Sequence, residues 1–222
     1  MHFNITPWDN SASRPHFILG YIKDFNKAEL LNEEEKKDYE KLKVAKRKKE
    51  WLSARVCAKK LISSVTAIDV SEIAINNDPD RKPYAFIKKY DKKFYISISH
   101  RNDMVGAAFN DNLDPYVGID IEFVEDINKK ALADFMTEKE LSLNIEGIIR
   151  SWSLKEAFVK LIGKGLTADL KDMEFDGINF TVKGKMFDVL TSLKICKIYY
   201  YTFKNGNYII SLCWSGGLDG RK

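Results

Sequence analysis

A helix followed by strands occurs twice along this chain of 222 residues, once on each side of a polar break near its middle. The break is Asn112-Leu113-Asp114-Pro115, and Asx residues and proline are typical of turns. Before it, residues 32–64 carry helical signals and residues 94–109 predict two strands. After it, residues 151–162 predict a helix and residues 178–214 predict antiparallel strands. This order indicates a mixed α+β protein, although no sequence repeat is strong enough to establish a duplication.

Local signals place the ends of these helices. Asn32 followed three residues later by Glu35 has the chemistry of a capping box at a helix start. Residues 151–162 repeat apolar side chains at helical spacing, and Gly163-Lys164-Gly165 suits a left-handed C-terminal cap. We also expect residues 127–142 to be helical.

Composition narrows the class of protein. The chain is 45% hydrophobic, enough for a core, yet it has no apolar run near the ~20 residues that a bilayer requires. The first twenty residues do not resemble a signal peptide. Three separated cysteines, Cys57, Cys196 and Cys213, argue against a disulfide framework or a zinc site and for a reducing compartment. We therefore expect a cytoplasmic protein with no membrane partner.

Positive charge is concentrated in residues 41–49. Residues 41–49 contain six Lys and Arg side chains. Such a run is either a solvated helix face or an anion site for phosphates, an acidic protein or nucleic acid. The sequence alone leaves both interpretations open.

The strand at residues 117–122, VGIDIE, is the most informative segment for chemistry. Strand side chains alternate between faces, so Gly118, Asp120 and Glu122 share one face while the apolar residues share the other. Two carboxylates two residues apart on one face can bind a hard cation such as Mg²⁺. We interpret Gly118 as leaving space for a ligand. The alternative is a strand with a solvated acidic face.

The helix at residues 151–162 adds a second group. Trp152, Glu156 and Lys160 are four residues apart and share one side of the helix, away from its apolar stripe. Glu156 and Lys160 are either a simple surface pair or, together with the strand acids, a third oxygen ligand and a phosphate-facing cation. Mg²⁺ commonly combines a few carboxylates with substrate phosphates, so a diphosphate ligand suits the set.

Segments 118–122 (GIDIE) and 152–165 (WSLKEAFVKLIGKG) resemble the two signature motifs of the 4′-phosphopantetheinyl transferases. The Trp-x-x-Lys-Glu-Ala form and the chain length are similar to the larger, surfactin-synthetase-type branch. Weaker matches follow the same order: Arg81-Lys82-Pro83, Ser97-Ile98-Ser99-His100 and the helix near residues 50–60. Two departures are Arg81, where the branch has glycine, and Arg101, where it commonly has a small residue.

This resemblance implies a monomeric pseudo-dimer of two similar α+β halves, each with a helix on an antiparallel sheet. Residues 1–113 would form a half that contacts the coenzyme A nucleotide, and residues 114–222 a half with the magnesium site and catalytic helix. The implied reaction moves 4′-phosphopantetheine from coenzyme A to a serine of an acyl or peptidyl carrier protein, releasing adenosine 3′,5′-bisphosphate.

The same resemblance assigns roles to residues. Asp120, Glu122 and Glu156 would hold Mg²⁺, and Lys160 would contact the diphosphate and the departing group. Glu156 is the first candidate for the base, directly or through a metal-bound water, and Glu140 is a weaker one. The candidates for the coenzyme 3′-phosphate site are Arg55, Lys82, Ser99 and His100.

Two alternatives remain at the level of sequence: an RNA- or ribosome-binding protein that uses the basic run, and a magnesium-dependent phosphohydrolase. The three acids disfavour the first, since they repel nucleic-acid phosphate unless a metal intervenes, so we expect no nucleic-acid partner. For carrier docking, Phe135 and Met136 are candidates for an apolar contact, with simple core residues as the alternative.

Overall fold

The computed structural model describes residues 2–9, 13–25, 30–110, 115–163 and 169–216. The chain divides into two compact units. The first unit comprises Pro15–Pro115, and the second comprises Met1–Arg14 together with Tyr116–Lys222. The boundary therefore follows Pro115, the last residue of the polar break, two residues after the division between 113 and 114 that the sequence predicts.

The first unit is a five-stranded antiparallel sheet with a long helix on one face. The strand order is β2-β6-β5-β4-β3. The elements are β2 (His16–Tyr21), α1 (Glu33–Lys41), α2 (Ala45–Thr66), β3 (Ile73–Asn77), β4 (Pro83–Ile87), β5 (Lys92–Arg101) and β6 (Met104–Phe109), with short 3₁₀ turns at Val70–Glu72 and Lys88–Tyr90.

Helix α2 contributes one apolar side to the core of the first unit. Its buried residues Ala58, Leu61 and Ile62 pack with Phe94 and Ile96 of β5. The helix ends where Ala67 adopts a left-handed backbone (φ 57°). The predicted capping box of α1 is present, since the Asn32 side chain accepts from the Glu35 N–H and Glu35 accepts from the Asn32 N–H.

The second unit is a six-stranded mixed sheet covered by helix α5. The strand order is β7-β11-β10-β1-β9-β8, in which β1 runs parallel to β10 and antiparallel to β9. The elements are β1 (Phe3–Pro7), β7 (Val117–Phe123), α3 (Lys129–Leu132), α4 (Glu138–Leu141), α5 (Ile145–Ile162), β8 (Met173–Phe175), β9 (Phe180–Val182), α6 (Gly184–Ser192), β10 (Ile198–Asn205) and β11 (Tyr208–Ser215), with a 3₁₀ turn at Leu170–Asp172.

The two units share one topology. In chain order, β2, α2 and β3 to β6 of the first unit correspond to β7, α5 and β8 to β11 of the second, and the sheets differ by the insertion of β1 between β10 and β9. This repeated arrangement confirms the predicted α+β fold of two similar halves. The sequence did not show it, because equivalent positions carry different side chains.

Each unit also contains the same buried ion pair. In the first, Lys59 of α2 contacts Glu35 of α1 at 2.6 Å, and in the second Lys155 of α5 contacts Glu140 of α4 at 2.6 Å. Both glutamates are the third residue of a capped helix, and both accept a backbone N–H from the edge strand, β3 or β8. The match supports a common architecture for the two halves.

Two expectations from the sequence require correction, and a third is confirmed. The sequence predicts residues 1–14 in the first half, but β1 pairs with β9 and β10, which places this segment in the second unit. Residues 127–142 form two short helices, α3 and α4, instead of one continuous helix. Gly163 is the left-handed cap (φ 70°) as predicted, while Lys164 and Gly165 lie outside the described residues.

Within the described ranges, no helix is both long enough and apolar enough to cross a lipid bilayer.

Candidate active site

Strand β7 and helix α5 approach each other closely at Gly118. A methyl group on Gly118 would lie 1.8 Å from the Ala157 carbonyl oxygen and 2.8 Å from the Leu161 nitrogen. The helix backbone therefore fills the space beside this glycine. The interpretation that Gly118 leaves room for a ligand is wrong: it allows the helix to lie against the strand, which brings the strand acids beside the helix.

Asp120 is the most buried of the three acids, with 4% of its surface exposed. Its Oδ1 accepts a hydrogen bond from Lys160 Nζ at 2.7 Å. A carboxylate removed from water needs a compensating charge, and the lysine supplies it. Lys160 thus reaches across to the strand and is not confined to the simple helix-surface pair with Glu156 that was the alternative interpretation.

Glu156 is partly buried on the same side of α5. Burial raises its pKa, the negative charge of Asp120 raises it further, and the positive charge of Lys160 opposes both effects. The carboxylates of Asp120 and Glu156 therefore lie near enough to repel each other. The acids of β7 and α5 therefore carry more negative charge than Lys160 neutralises, and a bound cation would reduce their mutual repulsion.

Glu122, the third acid, is partly exposed and has a donor on the helix. Trp152 Nε1 donates to Glu122 Oε1 at 3.1 Å. The Trp152 ring packs edge-on against Phe135, with centroids 5.9 Å apart. Sequence reasoning placed Trp152 on the same side of the helix as Glu156 but gave it no role.

These acids fit a magnesium ion by the chemistry of their donor atoms. Hard divalent cations prefer carboxylate oxygens, and here such oxygens come from β7 and α5 in a partly dehydrated setting. Within the part of the chain that the structure describes, no three or more His, Cys, Asp or Glu side chains are arranged to hold a metal ion as they stand. The Lys160 ammonium group lies against Asp120, so a metal held by this set requires side-chain movement.

Glu140, the weaker candidate for the base, stabilises the fold through its contacts with buried groups. It is fully buried, pairs with Lys155, and accepts hydrogen bonds from the Ser151 hydroxyl and the Phe175 N–H. Its oxygens are used to tie α4, α5 and β8 together. A carboxylate so placed cannot reach a substrate hydroxyl.

Arg55, on α2 of the first unit, lies over the ring of Trp51, with the guanidinium carbon 3.3 Å from the ring centroid. Burial lowers its pKa to about 10, while the acids Glu35 and Asp38 of α1 act in the opposite direction. Its buried Nε has no hydrogen-bond partner among the described residues. The arginine is therefore held by stacking and retains a donor.

Lys82 and Ser99 occupy the sheet face turned away from α2. Lys82 Nζ donates to the Pro115 carbonyl at 2.6 Å and lies 5.5 Å from the centroid of Tyr95. Tyr95 and Ser99 alternate with the core residues of β5, so they share this face, whereas His100 has the opposite parity. The structure thus groups Lys82 with Ser99 and places His100 on the face toward α2.

The two candidates for carrier docking differ in exposure. Phe135 is 41% exposed, and Met136 is 1% exposed. Met136 is a core residue, so its proposed role in docking is wrong. Phe135 remains a prediction.

The basic run at residues 41–49 is partly neutralised. Lys41, Lys46 and Lys49 form ion pairs with Asp38, Glu50 and Asp24, respectively, and Lys48 lies over the Tyr39 ring. These contacts favour a solvated helix face over a dedicated nucleic-acid site.

Two family descriptions match successive parts of the chain. Residues 22–111 match the N-terminal domain of 4′-phosphopantetheinyl transferases, and residues 116–213 match the 4′-phosphopantetheinyl transferase superfamily. The boundary between the matches coincides with the boundary between the two units.

Similar proteins carry the same family name. The 4′-phosphopantetheinyl transferase psf-1 of Bacillus pumilus is 30% identical over 127 residues, which cover 54% of this chain and 52% of the relative. The corresponding transferase gsp of Aneurinibacillus migulanus is 25% identical, covering 56% and 53%. The human L-aminoadipate-semialdehyde dehydrogenase-phosphopantetheinyl transferase is 27% identical, covering 64% and 52%.

The chain spans about half the length of the curated relatives it matches. A solved structure, the holo-ACP-synthase from Plasmodium yoelii, aligns with a TM-score of 0.33 and 22% identity, covering 45% of this chain and 92% of that one.

The two family matches together account for most of the sequence and confirm the resemblance seen in its motifs. The chain belongs to the 4′-phosphopantetheinyl transferase family, in its larger, surfactin-synthetase-type branch.

Proposed function

We propose that this protein transfers 4′-phosphopantetheine from coenzyme A to a serine of an apo acyl or peptidyl carrier protein, with Mg²⁺, releasing adenosine 3′,5′-bisphosphate. Family membership supports the reaction class. The observation that carries the proposal is the contact of Asp120 with Lys160. The negative charge of Asp120 also raises the pKa of Glu156, so these three charged groups lie close together. A diphosphate substrate and a divalent cation match these charges.

Asp120, Glu122 and Glu156 would hold the metal ion. A bound Mg²⁺ would neutralise the diphosphate charge and favour departure of the leaving phosphate. Lys160 has a flexible four-carbon side chain, 29% exposed, so its ammonium group can turn from Asp120 toward the diphosphate. There it stabilises the negative charge that develops on the departing oxygen.

Glu156 is our candidate for the proton acceptor. It is partly buried on the same side of α5 as Lys160, where it can accept a proton directly or through a metal-bound water. As the carrier serine oxygen forms its bond to the phosphorus that bears the pantetheine arm, the serine proton passes to the Glu156 carboxylate. The bond from this phosphorus to the oxygen of the leaving bisphosphate breaks, and that oxygen carries away the electron pair.

We propose Arg55, Lys82, Ser99 and His100 as contacts for the coenzyme 3′-phosphate. Lys82 and Ser99 lie on the same sheet face and are the best placed pair. Arg55 has a buried donor without a described partner, but it stands among the acids of α1. His100 requires an approach from the other face.

The reaction is tested by mass spectrometry of apo-carrier proteins incubated with the enzyme, coenzyme A and Mg²⁺. We expect a gain of one phosphopantetheine on the carrier serine and its loss when Asp120→Asn replaces the wild type. Phosphate release without carrier modification would instead identify a phosphohydrolase. Absence of both products across fatty-acid, polyketide and peptide carriers would contradict the proposal.

The expected setting is a monomeric enzyme of the cytoplasm. Size-exclusion chromatography with light scattering tests the oligomeric state. A dimer at micromolar concentration would contradict it.

A further inference from the structure

The indole of Trp152 is the donor that α5 presents to Glu122. Its Nε1–H donates to Glu122 Oε1 at 3.1 Å. An indole has a single N–H donor, fixed in the plane of a rigid ring, so its direction is set entirely by how the ring is packed. A carboxylate that accepts a hydrogen bond from such a fixed donor loses rotational freedom.

The ring of Trp152 is supported on two sides. It packs against the core of the second unit, and it meets the Phe135 ring edge-on at an interplanar angle of 73°. The Phe135 carbonyl in turn accepts from Lys155 Nζ at 3.1 Å, and Lys155 is anchored by the buried Glu140. The orientation of the indole is therefore set by its contact with Phe135, which the buried Lys155–Glu140 ion pair holds in place.

We propose that Trp152 is a positioning residue that fixes the Glu122 carboxylate for metal binding. This inference rests on the proposed function, because it assigns Glu122 to the metal. Groups that orient a metal ligand through its second atom typically change metal affinity or activity 10–100-fold when they are removed. Trp152 meets this description through one hydrogen bond and needs no contact with substrate.

The test uses Trp152→Phe, which removes the N–H and keeps an aromatic ring against Phe135. Binding of Mn²⁺ alone is measured from the free-ion signal in electron paramagnetic resonance. We expect affinity to fall on the order of 10-fold or more. The matched control is Tyr200→Phe, which removes the hydroxyl that donates to the Ile178 carbonyl in the same unit, and which should bind Mn²⁺ as the wild type does.

Equal Mn²⁺ affinity of wild type and Trp152→Phe would overturn the inference while leaving the metal site intact. A wild-type protein that binds no Mn²⁺ would overturn the metal site and the inference together. Carrier modification that persists without any divalent ion would contradict the metal part of the proposed function by a separate route.

A second measurement needs no variant at position 152. The chain contains four tryptophans, so a ¹⁵N-labelled sample gives four indole N–H signals, assigned from Trp-to-Phe variants at the other three positions. Addition of Mg²⁺ should shift the Trp152 signal and leave that of Trp214, which donates to the Ser13 carbonyl, in place. An unmoved Trp152 signal at saturating Mg²⁺ would contradict the proposed role.

Discussion

The Glu156 carboxylate lies partly buried beside Asp120, and both circumstances raise its pKa. The folded-state pKa is therefore above the ordinary value of 4.5 that describes the unfolded chain. A group of this kind favours the folded state fully below its unfolded pKa, and the contribution is lost as pH rises through the folded pKa. At a pH above the folded-state pKa, the Glu156 side chain therefore lowers the stability of the folded protein.

From this sign we expect Glu156→Gln to unfold at a higher urea concentration than the wild type at pH 7, without divalent ions. The difference should vanish well below pH 4.5, where Glu156 is protonated in both states. Glu40→Gln, on the exposed surface of α1, serves as control and should change stability by less than about 0.5 kcal/mol at either pH. A Glu156→Gln protein less stable than wild type at pH 7 would contradict the assignment.

The contact between β7 and α5 depends on the absence of a side chain at Gly118. Alanine there would place a methyl group against backbone atoms of Ala157 and Leu161, which cannot turn aside as a side chain can. The helix would have to move, and with it Glu156 and Lys160.

We expect Gly118→Ala to cost about 1–3 kcal/mol or more in stability, and to lower carrier modification beyond what the fraction unfolded explains. Gly20→Ala is the matched control: this strand glycine has ordinary space, with Val105 Cγ1 at 3.8 Å as the nearest atom. Urea unfolding and initial rates measure both effects. Equal stability of the two variants would show that α5 does not depend on Gly118.

The sequence predicts most of the helices and strands but few of the contacts between them. Periodicity is local, so it identified α2, α5, β5, β6 and β7, and strand alternation placed Asp120 and Glu122 on one face. Strand β1 was missed because its partners, Thr181 and Tyr199 among them, lie far along the chain. The Lys160–Asp120 bond and the function of Gly118 depend on how the helix packs on the sheet, which no local pattern reports.

Across the whole molecule, the two buried Lys–Glu pairs, Lys59–Glu35 and Lys155–Glu140, occupy equivalent positions in the two units. Burial lowers the pKa of both lysines, and the negative charge of the partner carboxylate opposes this shift. Removing one member of a buried pair leaves the other uncompensated, which typically costs about 3–5 kcal/mol.

We expect Lys155→Met to destabilise the protein by about this amount, and Lys59→Met to do the same in the first unit. The double variant Glu140→Gln/Lys155→Met should recover part of the loss, because glutamine keeps an acceptor for the Phe175 N–H without a charge. Denaturant unfolding followed by circular dichroism gives the free energies. A double variant less stable than Lys155→Met would show that the charge at Glu140 is favourable by itself.

Strand β1 has a consequence for how the molecule is made. The residues of the first unit are contiguous, so that unit can fold as soon as they leave the ribosome. Strand β1 emerges before all of them, yet its sheet neighbours, β9 and β10, are synthesised after the whole first unit. At ordinary rates of translation the strand waits roughly 10 to 40 s for them. Strand β1 is thus synthesised before the first unit but paired only after it, and during that interval its backbone N–H and C=O groups have no sheet partner.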